Sequence, residues 1–232
     1  NRVSGCILIP NFHNPLGSLM PDDKKEQLMR LLNRYEIPLI EDNICADLSY
    51  TGHRPLPLKA FDRKDLVLTC SSFSKTLAPG LRIGWVIPGK RFKEKILRLK
   101  AGSTVSTSTL DQSVVARFLE DGSYRRHLRS LRNALKKQTL STALAIRKHF
   151  PPDIRMALPR GGALLWIELH PDVDGTIICQ KALEKRISIL PGVACSGFGQ
   201  FRNYIRIGCG HPFTEAIEQG IEVLGGLISE SC

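Results

Sequence analysis

The chain has 232 residues with a hydrophobic content of 42%, which suits one large globular domain or two smaller ones. No apolar run approaches the roughly twenty residues of a membrane-spanning helix, and the seven cysteines lack a zinc-like Cys/His spacing. An odd number of scattered cysteines indicates a reducing compartment, so we expect a cytoplasmic protein without a metal centre.

The net charge is +11, and basic residues crowd two segments, 90–100 and 125–137. Both segments have apolar residues at helical spacing. They are interpreted either as a nucleic-acid-binding face or as the solvated faces of amphipathic helices. The second interpretation is favoured because aromatic residues are not interleaved with the charges.

The chain starts without an initiator Met and runs directly into an apolar stretch, which is typical of a cut into a longer chain and not of a signal peptide. Apolar runs at Cys6 to Pro10, Ile37 to Ile40 and Leu66 to Cys70 alternate with polar connections. The first connection contains a helix that ends near Tyr35, with three core positions, at Leu28, Leu31 and Leu32. This alternation predicts parallel strands in an α/β fold.

Trp85 to Ile87 follows a connection that is too short for a parallel crossover, so this run should be antiparallel in a mostly parallel mixed sheet. Helices are then predicted at about 91–100, 110–120 and 123–149. After the Pro151-Pro152 boundary, strands at 155–157, 163–167, 187–190 and 204–208 and helices at 176–185 and 214–227 indicate a small α+β domain. We therefore expect a first domain over residues 1–122 and a second, with a linking helix, over 123–232.

Polar side chains follow the ends of the predicted parallel strands. Asn14, Asp42 and the segment Ser72 to Lys75 each come just after a strand, and Arg82 precedes the antiparallel run. Ligands bind beyond the carboxyl ends of such strands. An amine flanked by hydroxyls, with a guanidinium seven positions on, suits an aldehyde cofactor that carries a phosphate. A polar loop with a solvated lysine is the alternative, and four converging positions count against it.

Ser72-x-x-Lys75 also matches the serine acyl-enzyme motif of penicillin-binding proteins. That motif needs Ser-Asp-Asn and Lys-Thr-Gly elsewhere in the chain. Neither tripeptide occurs, so an acyl-serine enzyme is disfavoured.

The combined pattern from Cys6 to about Leu227 resembles the fold type I pyridoxal-phosphate enzymes of the aspartate aminotransferase superfamily. The matching residues are Asn14-Pro15-x-Gly17, Asp42, Ser72-x-Ser74-Lys75, Arg82 and Arg206. Finer details are similar to the MocR branch of GntR-type regulators, in which an aminotransferase-like domain follows a winged helix-turn-helix. These details are the segments His53 to Ala60, Ser74 to Gly80 and Pro159 to Gly162.

The resemblance implies pyridoxal 5'-phosphate as the cofactor, held as a Schiff base on Lys75. It implies that Asp42 pairs with the pyridine nitrogen, that Asn14 donates to the ring's phenolate oxygen, and that Arg206 binds a substrate α-carboxylate. The implied phosphate ligands are Ser72, Ser74 and Arg82. Simpler interpretations stay open: a helix N-cap for Asp42, an Asx turn for Asn14, a loop cap for Ser74 and an edge-strand position for Arg206.

The chain departs from the family at the tyrosine expected two or three positions after Asp42. Ile44 and Cys45 occupy these positions; isoleucine cannot donate a hydrogen bond and a thiol donates weakly. The resemblance also implies a phosphate loop and a stacking aromatic upstream of Asn1, so residues 1–232 alone should bind the cofactor poorly.

Two functions follow from the resemblance. One is an effector-sensing domain of a transcription regulator, which would reach DNA only through an N-terminal domain outside this sequence. The other is a free-standing aminotransferase that acts on amino acids. Either would take an amino acid or amine and is expected to form a homodimer that does not bind a membrane.

Overall fold

The computed structural model describes residues 3–231. The chain divides into two compact units. The first unit comprises the residues up to His13 and Ser18–Arg132, and the second comprises Asn14–Gly17 and the residues from Asn133 onward. The predicted domain boundary between residues 122 and 123 stays a prediction. Among the described residues, no helix is both long enough and apolar enough to cross a membrane.

The first unit contains a four-stranded mixed sheet. Its strands are β1 (Cys6–Leu8), β2 (Leu39–Asp42), β3 (Val67–Ser72) and β4 (Gly84–Ile87), in the order β1-β2-β3-β4. The first three strands are parallel and β4 pairs antiparallel with β3. The predicted mixed sheet and the antiparallel direction of β4 are therefore confirmed.

The helices of the first unit have close to their predicted bounds. They are α1 (Asp22–Tyr35), α2 (Gly89–Ser103), α3 (Thr109–Glu120) and the beginning of α4 (Ser123–His149). Met29 and Leu32 of α1 are buried in the core beside the sheet residues Leu39 and Val67. The prediction that Leu31 faces the core is wrong, because its side chain is 51% exposed and the buried face turns through Met29 instead.

Buried polar groups fix the orientation of β2. Leu39 and Glu41 are both fully buried on one face of the strand, so Asp42 lies on the opposite face. The Glu41 carboxylate accepts hydrogen bonds from the backbone N–H of Leu58 at 2.7 Å and from the Thr69 hydroxyl at 2.9 Å. A slip of one residue would bury Asp42 without these partners, so the register presents Asp42 at the end of the strand.

The second unit contains an antiparallel sheet with the order β5-β6-β8-β7. Its elements, besides the rest of α4, are β5 (Arg155–Met156), β6 (Leu164–Glu168), α5 (Gly175–Glu184), β7 (Leu190–Pro191), β8 (Tyr204–Gly208) and α6 (Glu215–Ser229). The predicted strand at 187–190 is wrong for most of its length. Ile187 and Ile189 pack against the core from an irregular segment, and their burial produces the apolar pattern without strand pairing.

Alternation along the central strands builds the core of the second unit. Leu165 and Ile167 of β6 and Ile205 of β8 are fully buried, whereas Trp166 and Arg206 lie on the opposite face. Because successive strand residues point to opposite faces, the apolar side of this sheet packs on the helices and leaves Arg206 outside the core.

Candidate functional site

Asp42 is the last residue of β2, and its side chain stabilises the turn that follows. One carboxylate oxygen accepts the backbone N–H of Ile44 at 3.0 Å, which is an Asx turn. Asp42 therefore caps a turn, in partial agreement with the simpler interpretation. An ionised carboxylate offers about four lone-pair positions, so this contact leaves capacity for a further donor.

Cys45 links Asp42 to the lysine loop electrostatically. Burial raises the pKa of the Cys45 thiol to about 11; the negative charge of Asp42 raises it further and the positive charge of Lys75 lowers it. Both charged groups therefore influence the same partly buried thiol. The thiol stays protonated, and hence neutral, at neutral pH.

The sheet register places Asp42 and Lys75 at the same edge of the sheet. Asp42 is paired with Cys70 of β3, and the N–H of Asn43 donates to the Cys70 carbonyl at 2.9 Å. Lys75 lies three residues beyond Ser72, the end of β3. Both residues thus leave the carboxyl edge of adjacent parallel strands.

The loop from Ser72 to Gly84 is closed at its base. Ser72 pairs with Gly84, and the N–H of Phe73 donates to the Ile83 carbonyl at 3.1 Å. A side chain at Gly84 would approach the Ser71 carbonyl oxygen to 3.0 Å, so glycine allows the two strands to come this close. Ser72, Ser74, Lys75 and Arg82 are consequently held on one short closed loop.

The donor set on this loop fits a phosphate-bearing aldehyde. Lys75 and Arg82 are both exposed, and the Arg82 guanidinium contacts the Pro79 carbonyl at only 3.4 Å. The Ser72 hydroxyl accepts the N–H of Ser74 at 3.2 Å, and its own hydrogen is left to donate. Thus Ser72 provides the loop cap that was considered for Ser74. An amine, two hydroxyls and a guanidinium can together hold an aldehyde and a dianion.

Asn14 and Arg206 belong to the second unit and contact each other. The Arg206 guanidinium donates to the side-chain oxygen of Asn14 at 2.7 Å. Because a guanidinium only donates, the amide oxygen is the accepting atom and the amide nitrogen of Asn14 is left to donate elsewhere. Arg206 is not on an edge strand, since β8 is paired with β6 on one side and β7 on the other.

Contacts within the second unit also explain why residue 17, shortly after Asn14-Pro15, is a glycine. Gly17 has a φ of +65°, and a side chain there would approach Cβ of Pro159 to 3.1 Å. Glycine is therefore required both by conformation and by space. The predicted convergence of Asn14 with Asp42 and Lys75 joins residues of the two units and stays a prediction.

The sequence interpretation missed a group of residues around Thr76, which directly follows Lys75. Thr76 is 1% exposed; its hydroxyl accepts from the Tyr124 hydroxyl at 3.0 Å and its carbonyl lies 2.9 Å from Nε2 of His127. Tyr124 and His127 are 48 and 51 residues away along the chain. The i, i+3 spacing of Tyr124 and His127 in the sequence predicts that they share one face of a helix, but it does not indicate that this face contacts Thr76.

The family described as aminotransferase class I and II matches residues 1–224 of the chain. The uncharacterized HTH-type transcriptional regulator YjiR of Escherichia coli is 36% identical over 96% of this chain and 47% of that protein. A second such regulator from the same organism, YdcR, is 40% identical over 98% of this chain and 48% of its own length. Thus the chain spans about half the length of these curated relatives.

Solved structures match with similar coverage. The multiple substrate aminotransferase from Thermococcus profundus has a TM-score of 0.91 and 27% identity, over 98% of this chain and 57% of that one. The alpha-aminoadipate aminotransferase from Thermus thermophilus, complexed with N-(5'-phosphopyridoxyl)-L-leucine, has a TM-score of 0.90 and 26% identity, over 97% of this chain and 58% of that one.

Proposed function

The chain belongs to the aminotransferase class I and II family, whose fold class is the predicted one, and from this premise we propose that it is the effector-sensing domain of a MocR-type transcriptional regulator. In this proposal it binds pyridoxal 5'-phosphate and an amino acid or amine. The observation that carries the proposal is the shared sheet edge: Asp42 ends β2 beside Cys70 of β3, and Lys75 lies three residues beyond the end of β3. The regulator assignment is supported by the two relatives described as HTH-type transcriptional regulators.

Each site residue has a defined task toward the cofactor. When bound, pyridoxal phosphate supplies an electron-withdrawing ring that stabilises negative charge on the α-carbon of an amino acid. Lys75 would hold the aldehyde carbon through Nζ and would carry a proton to or from the substrate. The Asp42 carboxylate would keep a proton on the ring nitrogen, and Ser72, Ser74 and Arg82 would bind the phosphate.

The second unit supplies the effector contacts in this proposal. Arg206 binds the α-carboxylate of an amino acid through its planar guanidinium. Asn14 accepts from Arg206 through its amide oxygen, which leaves its amide nitrogen as the atom that would donate to the ring's phenolate oxygen.

Replacing Cys45 with Tyr is expected to lower the pH midpoint of the bound cofactor's visible absorbance by about one to two units. A phenol donates to the ring's phenolate oxygen far better than a buried neutral thiol. One hydrogen bond to a charged oxygen is worth roughly 1.5–3 kcal/mol, and 1.36 kcal/mol corresponds to one pKa unit. Titrating the absorbance in both proteins measures the shift.

Cys45→Phe is the matched control for the added volume, because it introduces the ring without the hydroxyl. A midpoint that moves equally in the Phe and Tyr variants would attribute the shift to packing. An unchanged or raised midpoint in Cys45→Tyr, with circular dichroism intact, would mean that position 45 does not face the ring.

A free-standing aminotransferase is the second candidate. It is favoured by the aromatic-amino-acid aminotransferase 1 of Thermococcus litoralis, which is 29% identical over 99% of this chain and 55% of that protein. The experiment uses the full natural protein loaded with pyridoxal phosphate and mixed with a panel of L-amino acids. A regulator domain should change its DNA affinity while releasing less than one equivalent of 2-oxo acid per site. Repeated release of 2-oxo acid without an effect on DNA binding would favour the enzyme.

The proposal also includes a cytoplasmic location and a homodimer, with DNA contacted through another domain of the longer protein. Light scattering of the loaded protein tests the dimer. A monomer at concentrations where the cofactor is fully bound would contradict this part of the proposal.

A further inference from the structure

The backbone next to Lys75 is held from two sides. On the N-terminal side, Phe73 is hydrogen-bonded to Ile83 across the base of the loop at 3.1 Å. On the C-terminal side, Thr76 is almost completely buried, and its hydroxyl and its carbonyl both contact α4. The side chain of Lys75 itself is exposed. A long flexible lysine side chain therefore starts from a backbone that cannot move freely.

Tyr124 and His127 make the two contacts from α4. The Tyr124 hydroxyl donates to the Thr76 hydroxyl at 3.0 Å. Burial raises the pKa of Tyr124, so the phenol keeps its hydrogen at neutral pH. A backbone carbonyl only accepts, so Nε2 of His127 must carry the hydrogen in its 2.9 Å contact with Thr76.

Aromatic packing makes this group of residues stiff. The Phe73 ring lies 4.9 Å from Trp85 and 5.7 Å from Tyr124, measured between ring centroids. Phe118 of α3 meets Tyr124 at 6.5 Å and His127 at 6.2 Å. These are distances at which tilted and edge-to-face aromatic pairs are favourable. These ring contacts restrict the rotation of both donor side chains.

The same part of α4 also holds the segment after Asp42. Nε of Arg132 donates to the Asp47 carbonyl at 2.6 Å, and the Asp47 carboxylate pairs with Arg54 at 2.9 Å. Asp47 lies in the short helix Ala46–Leu48, directly after Cys45. One helix therefore contacts both the lysine loop and the turn that follows Asp42.

We propose that Tyr124 and His127 are positioning residues which hold Thr76, through its hydroxyl and its backbone carbonyl respectively, and thereby direct the Lys75 amine toward the edge where Asp42 lies. Arg132 holds the Asp42 side of the same edge. This inference rests on the proposed cofactor role of Lys75. Neither Tyr124 nor His127 touches the cofactor in this arrangement; both act through Thr76.

The test measures covalent capture of the cofactor separately from its noncovalent affinity. The full natural protein without cofactor is mixed with pyridoxal 5'-phosphate and quenched with borohydride, and modification of Lys75 is followed by mass spectrometry. The affinity for 4'-deoxypyridoxine 5'-phosphate, which has no aldehyde, is measured in parallel. A positioning role affects the first quantity and leaves the second unchanged, whereas general damage to the site weakens both.

Tyr124→Phe removes only the hydroxyl, and we expect it to slow capture at Lys75 about threefold to tenfold, as the loss of one hydrogen bond predicts. His127→Leu should slow capture to a similar extent, and His127→Gln should restore most of the rate because its amide nitrogen can replace Nε2. Tyr35→Phe is the matched control, since Tyr35 of the same unit is 59% exposed.

An unchanged capture rate in Tyr124→Phe and His127→Leu, with intact circular dichroism, would overturn the positioning role. Equal slowing in His127→Gln and His127→Leu would also overturn it. A parallel loss of affinity for the deoxy analogue would assign these residues to structure alone. Capture at another lysine in the unmodified protein would instead reject the proposed function, so the two failures are distinguishable.

Discussion

Lys75→Ala is expected to abolish the visible absorption band of bound pyridoxal phosphate and all borohydride-trapped label in the full natural protein. The band requires a covalent bond between the aldehyde carbon and an amine, and Nζ of Lys75 is the amine on the loop that also carries Ser72 and Arg82. Lys75 is exposed, so its truncation should leave the fold intact. Absorbance spectroscopy and mass spectrometry of the reduced protein measure the loss.

Lys93→Ala serves as the matched control, because Lys93 is another exposed lysine of the same unit. It should keep the full band and the label. If the label in the unmodified protein lies on a different lysine, or if the Lys75→Ala protein keeps its band, the assignment of Lys75 fails.

Gly225→Ala is expected to destabilise the second unit by about 3 kcal/mol, near the upper end for overpacked positions. A methyl group at Gly225 of α6 would collide with the backbone carbonyl of His149 at the end of α4. Backbone atoms cannot rotate away as a side chain can, so α6 would have to move. The midpoint of thermal unfolding of the second unit should fall by roughly 12–24 °C.

The adjacent glycine gives a control within the same helix. Apart from the adjacent residues and the nearby backbone of α6 itself, no heavy atom of the described residues lies within 4 Å of the position that a Cβ of residue 226 would take. Gly226→Ala should therefore be neutral or stabilise the helix by up to about 1 kcal/mol. Equal unfolding midpoints for the two variants would contradict the close contact between α6 and His149.

Local hydrophobic pattern was sufficient to predict most of the fold. The three apolar runs became β1, β2 and β3, and the short connection after Ser72 required an antiparallel β4. The errors arose at apolar residues whose burial did not follow from the secondary structure that the pattern predicted. Ile187 and Ile189 pack against the core without belonging to a strand. In α1, the helical pattern predicted that Leu31 is buried, whereas Met29 is buried and Leu31 is exposed.

The candidate site, too, was predictable from the sequence only in part. Ser72, Ser74, Lys75 and Arg82 are close in sequence, and a closed loop keeps them close in space. Asp42 could be added from the sequence because parallel neighbouring strands end at the same sheet edge. The departure at Cys45 was visible too, but only the tertiary structure showed that burial and the charge of Asp42 raise the pKa of this thiol, to about 11.

Sequence by itself therefore determined the fold class, the strand ends and the residue types available for a phosphate-bearing aldehyde, because these depend on interactions between near neighbours in the chain. Only the tertiary structure decided which of two adjacent acids, Glu41 or Asp42, is buried with its own partners. It also decided that Tyr124 and His127 reach Thr76. Such contacts join residues dozens of positions apart, and a helical spacing indicates which face a residue occupies without indicating what packs against it.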